Sequence, residues 1–198
     1  ILPWAIAGVI GIALVNLAVS FSLALYVALQ SRRVGSAQIL RLGMVLLRRK
    51  QARDAVPHLE AAAAAKTAEL RPRLHLGDAL FEAGDFAAAE RAYRAALDLD
   101  PKSARAELGL ARALLREDRF EDSEPHFRRA AELDPASRDA VLELGAAYEQ
   151  RGRRAAAIAI YQQFPENPAV RERLGQLLVE EGRPAEGIPH LEAAVRNS

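Results

Sequence analysis

The amino-acid sequence predicts an all-α chain, with one N-terminal transmembrane helix followed by an α-solenoid of about five helix-turn-helix units. Three observations carry this. Apolar residues make up 51% of the 198 positions but aromatic ones only 6%, and the alanine and leucine that supply the difference favour helices over strands. Residues 1–30 contain no charged side chain. Downstream of them, residue types recur every 34 positions.

The apolar segment comes first. Leu2 to Leu29 is a run of 28 uncharged residues, roughly 42 Å long as a helix, against the ~30 Å that a hydrocarbon core requires. Pro3 suits a first helical turn and Trp4 a membrane interface. A cleaved signal peptide is the main rival, but its apolar core runs to about 7–15 residues and needs a small-x-small cleavage site. Arg32-Arg33 instead ends the run like a stop-transfer signal. Within the span, Ala7 and Gly11 lie four apart, as do Ser20, Ala24 and Ala28, and Asn16 sits near the middle. Small stripes allow close helix approach and an intramembrane amide seeks a partner, so these six residues are candidate contacts for another membrane helix. The competing reading is that small residues are common in such helices.

Charge is distributed unevenly. The whole chain has 27 basic and 26 acidic side chains, which gives no global reason to bind nucleic acid. Residues 31–53, however, hold seven basic side chains (Arg32, Arg33, Arg41, Arg48, Arg49, Lys50, Arg53) and no acid, while residues 54–198 hold 20 basic and 26 acidic ones, net −6. Arg32 and Arg33 are thus expected at anionic lipid headgroups. A basic collar after the span places the C-terminal body in the cytoplasm by the positive-inside rule; basic residues ahead of Ile1 would reverse this. There is no cysteine, which excludes disulfides, thiolate zinc sites and a cysteine nucleophile.

The period is visible in Pro101/Pro135, Tyr93/Phe127, Leu76/Leu110, Gly77/Ala111, Leu80/Leu114 and Ala96/Ala130, all 34 apart. The same shift reaches Leu42-Gly43 upstream and Leu144-Gly145 downstream. Each unit reads as two amphipathic helices. In the second, Leu74, Leu76, Gly77, Leu80 and Phe81 mark one helix, Gly84-Asp85 ends it, and Ala89, Tyr93, Ala96 and Leu97 mark the next, stopped at Asp100-Pro101. Small residues at Gly77 and Ala89 permit close packing, and Tyr93 is expected to fill the gap between units.

The stretch Leu76–Pro101, LGDALFEAGDFAAAERAYRAALDLDP, resembles the tetratricopeptide repeat (TPR). The uncharged run and its basic flank assign residues 1–30 to a membrane helix and 31–35 to a basic linker, and the resemblance assigns 36–198 to the repeat domain. Its units are 36–69, 70–103, 104–137, 138–167 and 168–198, with the fourth four residues short and Pro165 and Pro168 bracketing the loss. It implies a right-handed superhelix whose first helices line a peptide-binding groove with their second, fifth, ninth and twelfth residues. Transferred to this chain, those positions include Leu40, Met44, Leu47, Arg71, Leu74, Asp78, Phe81, Arg105, Leu108, Arg112, Leu115 and Leu142. Such an apolar ladder suits an amphipathic helix or an apolar extended peptide; alternatively the leucines pack between helices. A carboxylate clamp of Lys and Asn is not expected, since Leu40 and Met44 stand in its places.

His58, His126 and His190 share one repeat position, each inside Pro-His-(Leu/Phe). Helices spaced ~10 Å apart cannot bring them within the ~2 Å of a shared metal, so they read as packing elements, with the proline expected in the first turn of the second helix. There is no phosphate-binding loop, HExxH or nucleophile elbow, and acids alternate with arginines as on solvated helices. The expectation is a protein that catalyses nothing, takes no cofactor, metal, small-molecule substrate or nucleic acid, and binds other proteins, membrane subunits above all. Its similarity to bacterial single-span TPR proteins implies the inner membrane. The alternatives are a regulatory adaptor in envelope biogenesis or at the translocon, and the regulatory part of a longer enzyme.

Overall fold

The computed structural model describes residues 35–65 and 68–196. The expected membrane helix, with Ala7, Gly11, Asn16, Ser20, Ala24 and Ala28, and the headgroup pair Arg32 and Arg33 lie outside the described residues. Among those described, no helix is long and apolar enough to cross a membrane. All regular structure described is helical, and it falls into two compact units that divide between Ala83 and Gly84.

In the first unit, α1 (Ser36–Arg48), α2 (Ala52–Ala65) and α3 (Leu70–Ala83) pack in sequence, and α1 also meets α3. Ala55, Leu59 and Ala79 are sealed from solvent, with Leu40, Leu46, Leu47, Val56 and Leu76 closed around them. Gly43 lets α1 approach α2: a Cβ there would lie 2.6 Å from Leu59 Cγ.

The second unit contains α4 (Phe86–Leu97), α5 (Ala104–Arg116), α6 (Phe120–Leu133), a 3-10 helix (Pro135–Ala140), α7 (Val141–Gln150), α8 (Arg154–Tyr161), α9 (Pro168–Glu180) and α10 (Pro184–Arg196), each packed on the next. Local chemistry starts several of these helices. Asp85 caps α4 by accepting from Ala88 N–H at 3.0 Å, Ser103 caps α5 by accepting from Ala106 N–H, and Asn167 caps α9 by accepting from Ala169 and Val170 N–H. Pro168 follows as the first helical residue, where its missing N–H costs nothing. Buried Phe127, Val141, Leu144, Tyr161, Leu174 and Leu178 belong to one continuous core. Tyr93 is buried against Gly109 of α5, where any side chain would collide with its ring.

The short fourth pair loses its residues at one end. Its second helix, α8, has 8 residues, against 14, 12 and 14 in α2, α4 and α6. The chain leaves α8 right after Tyr161, packs Phe164 on the core and returns through Asn167, whose Nδ2 donates to Asp139 at 2.7 Å. The pair's first helix is also altered, since its entry is the 3-10 helix rather than an α-helical turn.

The turn inside each helix pair uses one left-handed residue at the same repeat position: Lys50, Gly84, Asp118, Gly152 and Gly182, with φ of 59°, 88°, 61°, 71° and 75°. At four of them two backbone bonds close the preceding helix, as when Asp118 N–H reaches Leu115 O and Arg119 N–H reaches Leu114 O. A left-handed L-residue costs roughly 1–2 kcal/mol, which glycine avoids. Asp118→Gly is therefore expected to stabilise the protein by about 0.5–1 kcal/mol in urea unfolding, even though it removes the exposed ion pair with Arg151. An unchanged or lower unfolding midpoint would contradict this.

Candidate protein-interaction site

The ladder residues divide between the two units. In the first, Leu40, Met44, Leu47 and Phe81 are half-buried, Arg71 is exposed, and Asp78 lies 3.7 Å from His75. Leu74 is buried, at 6% exposure. In the second, Leu108, Leu115 and Leu142 are half-buried against the core, and Arg105 is exposed. Arg112 reaches across to α7, where its Nε donates to Glu143 at 2.8 Å. Leu74 thus serves the interior, whereas the other leucines each keep an outward edge.

Within the second unit these positions open into two cavities. One, of about 440 Å³, is lined by Leu142, Ala146, Glu149, Gln150, Tyr161, Ala169 and Arg173. Leu142, Ala146 and Glu149 are spaced i, i+4, i+7 and so share a face of α7. The other, of about 490 Å³, is lined by Leu115, Arg116, Asp118, Phe120, Glu143, Ala147, Gln150 and Arg151. There the Arg151 guanidinium sits 5.5 Å above the Phe120 ring and pairs with Asp118. Hydrogen bonding from Arg151 holds the Asp118 carboxyl below its ordinary range.

A charged cluster forms one side of the first cavity. Arg173 forms an ion pair with Glu149, its Nε donating at 3.1 Å, and also reaches Glu180; the Tyr161 hydroxyl donates to Glu149 at 2.9 Å. Burial alone would raise the Glu149 carboxyl, but hydrogen bonds from Arg173 and Tyr161 outweigh it and hold the group below its ordinary value. Burial first, and then the bond to Glu149, push the Tyr161 hydroxyl well up, so it stays a proton donor. The cavity therefore offers an apolar wall from Leu142 and Ala146 beside a fixed pair of opposite charges. Glu149 is the twelfth residue of the unit 138–167 and so a groove position by the repeat pattern, whereas Tyr161 and Arg173 fall at none of the four groove positions. The spacing of 16 between Gly145 and Tyr161, matching Gly43/Leu59 and Gly175/Leu191, was the available signal for the tyrosine.

The repeated histidines are all half-buried, and His126 Nδ1 lies 2.6 Å from Glu107 Oε2. Their neighbouring prolines correct an expectation. Pro57, Pro125 and Pro189 are each the sixth residue of their helix, beyond the first turn, because those helices begin at Ala52, Phe120 and Pro184. A proline there leaves the carbonyl four residues earlier without its partner. Those residues, Arg53, Glu121 and Ala185, are exposed, so water can take the bond's place.

The tetratricopeptide-repeat family model matches residues 40–104, 74–136, 108–170 and 154–198. The chain belongs to the tetratricopeptide-repeat family. A second family model, described as site-specific recombinase, matches residues 1–55 alone, well under half of the chain. No curated protein matches. Among solved structures, this TPR chain is similar to MamA 41-end from Desulfovibrio magneticus RS-1, with 22% identity, TM-score 0.62, and 82% of this chain and 95% of that one covered. A further MamA crystal structure gives TM-score 0.64 at 20% identity, covering 81% and 90%. Pseudomonas aeruginosa pilF gives 0.58 at 19% identity, covering 80% and 76%. At these identities the likeness is one of fold.

Proposed function

We propose that this TPR protein is a non-catalytic scaffold, tethered to a membrane by residues 1–30, that recruits an amphipathic helix or an apolar extended peptide as an accessory subunit of a larger membrane complex. The observation that carries the reading is the convergence of Leu142, Ala146 and Glu149 on one open cavity, with Arg173 and Tyr161 at its side. An apolar side chain of the ligand fills the space, while the charge pair orients its backbone amides. Leu108 and Leu115 extend this surface within the second unit, with Arg105 and Arg112 as its charges; in the first unit Leu40, Met44, Leu47 and Phe81 form a ladder of their own, with Arg71 and Asp78 beside it. The basic collar favours a cytoplasmic repeat domain.

Ala146→Arg in the full chain tests the site, because it fills the cavity from a half-buried position. In mild detergent the unaltered chain is expected to co-purify in fixed stoichiometry with membrane subunits, and the variant to lose them at least tenfold at an unchanged melting temperature. A chain that purifies alone, or a folded variant that retains its partners, would overturn the reading.

A further inference from the structure

The outward face of α1 has a composition unlike any ordinary solvated face. At about 100° per residue, Arg41, Leu42, Val45, Arg48 and Arg49 fall within one arc of about 120°. All five are exposed, Leu42 at 45% and Val45 at 41%. The arc is separate from the buried side, Ile39 and Gly43, and from the ladder side, Leu40, Met44 and Leu47. Exposed Lys50 and Arg53 follow past the helix end, where Asp54 and Glu82 share a depression with them, so the face free of anions is that of α1 itself. No acid occurs before Asp54. Aliphatic residues set among cations, with no anion among them, match an anionic bilayer surface: the side chains enter the headgroup boundary and the guanidinium groups meet phosphates.

Chain length points the same way. Only five residues, 31–35, separate the uncharged run from α1, a reach of at most about 18 Å when fully extended. The start of a helix so tethered stays within little more than two Debye lengths, of ~8 Å each, of the membrane. We propose that α1 docks the first unit on the surface of an anionic phospholipid bilayer through Leu42 and Val45, flanked by Arg41, Arg48, Arg49 and Lys50. The argument from linker length rests on the proposed tether; the charge and exposure of the face do not.

The cysteine-free sequence permits a site-specific test. The full chain, as Leu42→Cys carrying an environment-sensitive NBD fluorophore, is reconstituted from detergent into vesicles of phosphatidylcholine alone or with phosphatidylserine. Expected in the anionic vesicles alone are a blue shift and quenching by nitroxide lipids. Both should be lost in 1 M salt and in the Arg41→Gln/Arg48→Gln/Arg49→Gln/Lys50→Gln variant, while a label at Glu192→Cys stays unquenched. An unshifted Leu42 label on chain that floats with anionic vesicles overturns docking. An equal shift in neutral vesicles also overturns it: without nitroxide quenching the face is covered by protein, and with quenching it enters lipid without regard to charge. Flotation with anionic vesicles only, with the label quenched, would sustain docking and sink the tether; flotation with neither sinks both.

Discussion

Replacing Gly145 by alanine is expected to destabilise the protein by about 2–3 kcal/mol, although alanine is the better helix former by roughly 1 kcal/mol. Gly145 is buried in α7, and a Cβ there would collide with Cε1, Cζ and Oη of the Tyr161 ring. The ring has no easy retreat. It is 1% exposed within the core, and its hydroxyl is held by Glu149. Relief therefore requires α7 and α8 to separate, which opens gaps beside Leu144 and Ile158, members of the same core. Thermal and urea unfolding of Gly145→Ala, Tyr161→Ala and the double variant measure this. Tyr161→Ala alone should cost about 3–5 kcal/mol as a cavity. Adding Gly145→Ala to it should cost little or nothing further, because the incoming methyl occupies vacated space. Strict additivity of the two losses would show that the glycine is not there to admit the ring.

The same pair illustrates what is legible in a repeat sequence. A repeated contact leaves a repeated spacing, so Gly43/Leu59, Gly145/Tyr161 and Gly175/Leu191 carry their packing in their register, and the helical fold follows from it. Lys50 and Asp118 show the register outweighing local propensity. Lys50 does not favour a left-handed backbone and Asp118 tolerates one less well than glycine, yet each stands where glycine stands in the other turns. What the register does not hold is the start of each helix, and this is why the prolines before His58, His126 and His190 were expected a turn too early. It also does not hold solvent exposure. Leu74 and Leu108 are equivalent in sequence, but one is buried and the other half-buried. The Glu149 cluster was illegible for a related reason. Its partners are 12 and 24 residues away, on two further helices of the shortened fourth and fifth pairs, so no neighbouring unit repeats the arrangement.

That cluster carries the second large effect. Arg173→Leu is expected to cost about 2 kcal/mol at neutral pH, between the 3–5 kcal/mol of breaking a fully buried pair and the 0–1 kcal/mol of an exposed one. The intermediate value follows from exposure, with the Glu149 side chain at 15% and that of Arg173 at 33%. Tyr161 continues to donate to Glu149 in the variant, which limits the loss. The cost should also depend on pH in a defined direction. Glu149 is held below its ordinary value of 4.5 in the folded protein, so its ionised form is favoured by folding. The stability this contributes is complete above about pH 4.5 and disappears as the pH falls through the lowered folded-state value. A cycle of Arg173→Leu, Glu149→Leu and the double variant, unfolded in urea at pH 7 and again near pH 3, isolates the coupling from the packing of the two leucines. Coupling should be present at pH 7 and reduced at pH 3. If it were the same at both, charge would not be what holds Arg173 to α7, and the polar side of the cavity would be a consequence of packing rather than a fixed pair available to a ligand.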